Sequence, residues 1–299
     1  MFEQISANKR RSALLVAAFV VVVGAVAWAF NVLLGGGPVG LLVAFAFVAL
    51  TSFASYWKSD AVALRMSGAR PADPVEHARL HNLVEGLCIA AGLPKPRVYI
   101  VDDPAPNAFA TGRNPRHAAI ACTTGLLEKL NRVELEGVIA HELSHIKNYD
   151  ILVSTLAVTM VGIVVLLANW GMRFLWWGGA RRRDRDNPAG AVVAVVSLVL
   201  LVASPLIARL MQYAVSRRRE TLADMTGVSF TRYPPGLISA LEKLREDRTV
   251  VGTGSHATAH LWIESPVARA ESEGRFAWLG RLFDTHPPLE ERIQALREL

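Results

Sequence analysis

Four uncharged apolar runs, near 13–34, 40–57, 151–169 and 189–208, limit what this 299-residue chain can fold into. Each approaches the roughly 20 residues that a helix needs to cross a hydrocarbon core about 30 Å thick. A mean hydropathy of +0.30, with 52% hydrophobic and 19% charged residues, agrees with a membrane protein. The formal charge of +6 does not point to nucleic acid, because the basic residues bunch beside the apolar runs and form no stripe with interleaved aromatics. No ionisable residue stands near the centre of the four runs, which speaks against a transporter. Lys9, Arg10 and Arg11 precede the first run as they would in a signal peptide, but the run is too long for one and a second follows directly after "GGGPVG". Residues 1–57 therefore read as a transmembrane hairpin.

The basic N-terminus places the start of the chain in the cytoplasm and "GGGPVG" outside. Residues 58–150 then return to the cytoplasm, 151–211 form a second membrane pair and 212–299 a second cytoplasmic part. The four arginines of "GGARRRDRDN" lie between runs three and four, against the positive-inside rule. Whether that pair crosses fully or only lies in the membrane, residues 141–150 and 212–299 fall on one side of it.

The remainder has an α+β, mainly helical pattern. "VEHARLHNLVEGLCIAAG" is a helix closed by Gly92, and "RVYIV" and "HAAIACTT" are strands. "NRVELEGVIAHELSHIKN" is a helix with a capping box, Asn131 and Glu134, and an apolar face of Val133, Leu135, Val138 and Ile139. The fourth apolar run continues through "RRRETLADMTG" as one helix, and "PPGLISALEKLRE" and "THPPLEERIQALREL" give two more. Cys88 and Cys122 are too far apart in sequence to be assumed to pair.

On the capped helix, His141 and His145 stand four residues apart, so both imidazoles leave one face and can grip a single ion. Zinc is the natural occupant: a catalytic zinc takes three protein ligands and keeps a position for water, to which the neighbouring Glu142 can act as general base. A third ligand must come from elsewhere. Glu220 and Asp224 are also four apart on a helix, so one could bind the ion while the other orients a histidine, or both could simply pair with Arg217 to Arg219. Asn107 fits an Asx-turn after "DDPAP", and His286 fits a cap on the terminal helix. His256 and His260 repeat the spacing without a glutamate, and His77 and His81 read as members of a helix face.

"HELSH", then "ETLAD", with "NAFATGR" ahead and "THPPLEERI" behind, resembles the HtpX-type membrane proteases, relatives of the type I CAAX prenyl proteases. The resemblance covers most of the chain. It implies a gluzincin-like membrane zinc metallopeptidase with one Zn2+ per subunit, bound by His141, His145 and Glu220, with Glu142 as base and Asp224 as hydrogen-bond partner to a ligating histidine. It places Asn107 and His286 near the developing oxyanion, and Thr221 departs from an aromatic common in relatives. The implied setting is the inner cell membrane with the site facing the cytoplasm. The implied partners are polypeptide substrates, membrane proteins among them, and the lipid bilayer. Prenyl-protease activity and an inactive scaffold that retains the zinc fold are the alternatives.

Overall fold

The computed structural model describes residues 6–10, scattered positions between 12 and 31, and 37–157, 217–252, 261–264 and 287–299. Its elements are α1 (Gly37–Met66), β1 (Arg70–Pro71), α2 (Ala78–Ala91), β2 (Arg97–Val101), β3 (Ala108–Gly112), β4 (Ala118–Thr123), α3 (Thr124–Lys129), α4 (Arg132–Lys147), α5 (Arg217–Thr231), α6 (Pro234–Glu246) and α7 (Leu289–Arg297). The mainly helical α+β pattern expected from the sequence is what the chain forms.

The four strands lie in the order β1-β2-β4-β3, with β2 and β4 parallel and both outer pairs antiparallel. Two of them, β1 and β3, carry no clear strand signal in the sequence. Strand β3 is "AFATG", whose alanines and glycine have little strand preference. It holds its place by burial, since all five residues are buried. Side chains alternate across the sheet. Val98, Ile100, Ala108, Ile120 and Cys122 join Leu135, Val138, Ile139 and Leu143 of α4 in one core. Phe109, Ala119 and Ala121 face the other way, toward Ala63, Leu64 and Trp262, and the Phe109 and Trp262 rings meet edge-on at 4.7 Å.

Helix α4 is buried nearly all round, as a central helix must be. Its capping box forms: Asn131 Oδ1 accepts from the Val133 and Glu134 amides, and the Asn131 amide donates to Glu134 Oε2 at 2.8 Å. Glu134 also accepts from Ser239 and Lys243, both at 2.7 Å, so the cap ties α4 to α6. Val133 is a correction. It is 45% exposed, and the core face is formed by Leu135, Val138, Ile139, Leu143 and Ile146. Helix α4 ends at Lys147 and does not run straight on into the third apolar run. Tyr149 follows with φ +60°, and helix resumes at residue 150.

Counted over the described residues, no helix is long and apolar enough to cross a membrane. The second apolar run lies on α1, where Val39, Leu42, Val43, Phe45, Leu50 and Phe53 are exposed among the described side chains. Most of the first run, residues 158–169 of the third and all of the fourth fall outside the described residues, as do His256 and His260. Cys88 and Cys122 are both free and buried, and burial pushes the Cys88 thiol up to about 11.

Candidate metal centre

One turn of α4 separates His141 from His145, and their rings stand perpendicular with centroids 4.7 Å apart. Their Nε2 atoms are 3.1 Å apart. Glu220, on α5, brings Oε2 to 3.7 Å from His141 Nε2 and Oε1 to 3.6 Å from His145 Nε2. Three donors held about 2.0–2.2 Å from a tetrahedral ion would stand about 3.3–3.6 Å from one another. The observed spacings bracket that range, and the three residues are placed to hold a metal ion. His141 and Glu220 are buried, whereas 16% of the His145 side chain is exposed, so the cluster is open on that side.

Both rings are turned by carboxylates. Asp224 Oδ1 lies 2.8 Å from His141 Nδ1, and Asp150 Oδ2 lies 3.1 Å from His145 Nδ1. A ring that donates its Nδ1–H in this way presents the Nε2 lone pair inward, as a metal ligand requires. Asp224 is the carboxylate that the sequence resemblance sets beside a ligating histidine, and here it lies against His141; Asp150 is an addition that sequence reasoning missed. In the metal-free state His145 has a pKa of about 9: burial works against its charge, but Glu220 and the Asp150 hydrogen bond outweigh that.

Arg292 was missed as well. It reaches in from α7 and is 2% exposed. Its Nε donates to Asp224 Oδ2 at 2.9 Å and its Nη2 to Oδ1 at 2.6 Å, while Nη1 lies 3.8 Å from Glu220 Oε2. Burial alone would raise the Asp224 carboxyl, yet Arg292 and then His141 hold it below the usual carboxylate range. Nothing in "THPPLEERI" marks this arginine, since arginines on amphipathic helices usually face solvent. Glu220 and Asp224 turn toward α4 and this cation, and the buried Arg219 lies against Asp150, with Nη1 3.9 Å from Oδ1.

Glu142 adjoins His141 and is 2% exposed. Burial pushes its carboxyl above the ordinary range; His141 and His145 pull it back and the like charge of Glu220 adds to the rise. Asn107 is buried at the head of β3, where its Nδ2 donates to the Glu264 carbonyl at 2.8 Å and its Oδ1 accepts from the Glu264 amide at 3.3 Å. This pairs segment 261–264 with the edge of the sheet, where Ile263 N also donates to Ala108 O at 2.9 Å. The Gly112 amide at the other end of that edge donates to Thr155 Oγ1. His286 lies outside the described residues.

The two metal-holding helices touch at Gly227. A Cβ there would stand 3.0 Å from the His141 amide nitrogen and 3.1 Å from the Ala140 carbonyl carbon, both backbone atoms of a buried helix. Overpacking of this kind costs about 1–3 kcal/mol, against about 1 kcal/mol regained from helix propensity. Gly227→Ala is therefore expected to destabilise the metal-free protein by about 1 kcal/mol net. A melting curve at or above the parent's would show that α4 and α5 have slack at this crossing.

A model of Peptidase family M48 matches residues 74–299. A protein named "Protease HtpX homolog" from Caldanaerobacter subterraneus subsp. tengcongensis is 42% identical over 301 residues, covering 100% of this chain and 98% of that one. One of the same name from Streptococcus gordonii is 42% identical over 303 residues, covering 100% of both. Among solved structures the chain is similar to S. mikatae Ste24p, with a TM-score of 0.50 and 16% identity over 99% of this chain and 67% of that one, a likeness of fold.

Proposed function

The chain belongs to Peptidase family M48 and is a metalloprotease, and from that premise we propose that it is a membrane-bound zinc endopeptidase that cuts polypeptides, membrane proteins among them, at the cytoplasmic face of the inner membrane. The observation that carries this reading is the convergence of His141 Nε2, His145 Nε2 and the Glu220 carboxylate on one point, with Glu142 as the next residue to His141. Two imidazoles and one carboxylate are the donor set of a catalytic zinc site that keeps an open position. The partial exposure at His145 leaves the cluster a way in.

When bound, zinc would polarise the scissile carbonyl and acidify the attacking water. Glu142 takes the proton of that water and delivers it to the leaving nitrogen, a task suited to a carboxylate whose pKa is raised by burial. Asp224 and Asp150 hold the two imidazoles in register. His286 and Asn107 are the proposed oxyanion donors, and Asn107 has one amide hydrogen beyond the one bonded to Glu264. Membrane attachment is supported by the exposed apolar side chains of α1, an area of bare hydrocarbon that water would penalise. Removal of damaged membrane proteins is the physiological role proposed. Glu142 argues against an inactive scaffold, because holding the ion does not require it.

Purified full-length protein in detergent is expected to degrade an unfolded substrate such as casein. A chelator should abolish the activity and one equivalent of zinc per subunit should restore it. Degradation that persisted after complete metal removal would refute the assignment.

A further inference from the structure

We propose that Asn8, at the head of the first apolar run, is a positioning residue for the metal centre: with Lys9 it clasps the corner after α4 and fixes the carboxylate that orients His145. The inference rests on the reading of His141, His145 and Glu220 as metal ligands.

The corner is Asn148, Tyr149 and Asp150. Tyr149 has φ +60°, in the left-handed region that a bulky side chain enters only when its surroundings hold it there. The turn ends α4 and brings Asp150 back onto His145, with Oδ2 3.1 Å from Nδ1. Two consecutive residues from 140 positions earlier grip all three. Asn8 Nδ2 donates to the Asn148 carbonyl at 2.9 Å and to Asp150 Oδ1 at 2.7 Å, and Lys9 Nζ lies 4.8 Å from the centroid of the Tyr149 ring. A carboxamide has two N–H donors, and both go to this corner. Asn8, Asn148 and Asp150 are 2%, 1% and 4% exposed, so water cannot easily replace the bonds.

Asp150 thus divides its oxygens. Oδ2 faces the histidine, and Oδ1 faces Asn8, with the Arg219 guanidinium next at 3.9 Å. Without Asn8 the carboxylate is drawn toward Arg219, and the His145 ring loses the partner that fixes its tautomer and aims Nε2. The metal ligand is therefore set from outside the catalytic part: the segment that begins the first apolar run must be docked for the site to be complete. In the sequence, Asn8 looks like the start of an ordinary basic cluster, "NKRR".

The test measures zinc affinity of the full-length protein in detergent by competition with a chelating indicator. Its variants are Asn8→Asp, Asp150→Asn, the double exchange and His145→Ala. Asn8→Asp keeps the shape, removes both donors and sets a carboxylate against a carboxylate. Zinc affinity should fall about tenfold or more, the range seen when a ligand's supporting partner is lost. In the double exchange the carboxamide now at position 150 donates to the carboxylate now at position 8, while its carbonyl accepts from His145. It should recover part of the loss even where a single variant fails to fold, the bond to the Asn148 carbonyl staying broken. A role confined to anchoring the N-terminus would lower the melting temperature of the metal-free protein and leave zinc affinity alone. The clasp is overturned if Asn8→Asp binds zinc within twofold of the parent, or if the double exchange is as weak as the two single losses multiplied. Undiminished binding in His145→Ala would instead overturn the metal reading, and the clasp with it.

Discussion

Glu142→Gln should bind zinc as the parent does and hydrolyse casein at least about a thousandfold more slowly, within the range attributed to general acid–base catalysis. The substitution keeps the shape of the side chain and removes only its capacity to accept a proton. The three proposed ligands are untouched, and their orienting partners are Asp224 and Asp150, neither of which depends on residue 142. The metal-free protein should melt no lower than the parent. Burial and the neighbouring Glu220 charge already disfavour an ionised Glu142, and a neutral amide relieves both. Loss of turnover with unchanged zinc affinity thus separates the base from the ligands. A variant that kept a tenth of the parent's rate would return the base role to another residue.

The capped helix carrying His141 and His145 was legible because its information is local: a capping box, a 3.6-residue period and two histidines on one face. Glu220 and Asp224 were legible as a pair for the same reason, and a resemblance of motifs was needed to divide their roles. Asp150 was hidden although it lies five residues past His145. An unbroken helix would have carried it to another face, and only the left-handed Tyr149 returns it. Asn8 and Arg292 were hidden more deeply. Each looks like a surface residue in its own segment, and its burial is decided by partners far along the chain, 140 and 142 positions away for Asn8 and 68 and 151 for Arg292. Strand β3 escaped notice for a related reason: its two alanines and its glycine have little strand preference, and the sheet imposes the strand.

Arg292→Met tests how much of the centre's integrity depends on one buried cation. The guanidinium is enclosed by the two oxygens of Asp224, by Glu220 Oε2, by His141 Nδ1 at 3.3 Å and by the Ile263 carbonyl at 3.5 Å. Removing it leaves Asp224 and Glu220 as buried carboxylates beside Glu142, without their shared counter-charge. Breaking a buried ion pair from one side costs about 3–5 kcal/mol, because the remaining charge has lost both water and partner. In a chain of this size that is on the order of ten degrees in the melting temperature of the metal-free protein. Bound zinc compensates Glu220 in place of the arginine, so excess zinc should recover part of the loss by mass action. Arg292→Lys keeps the charge but not the fork that meets both oxygens of Asp224, and should fall between parent and methionine variant. Adding Asp224→Asn to Arg292→Met removes the stranded charge as well, so the double variant should be less unstable than the sum of the two single losses. Strictly additive losses would mean that Arg292 and Asp224 stabilise the centre independently, and that the arginine acts through Glu220, His141 and the Ile263 carbonyl instead.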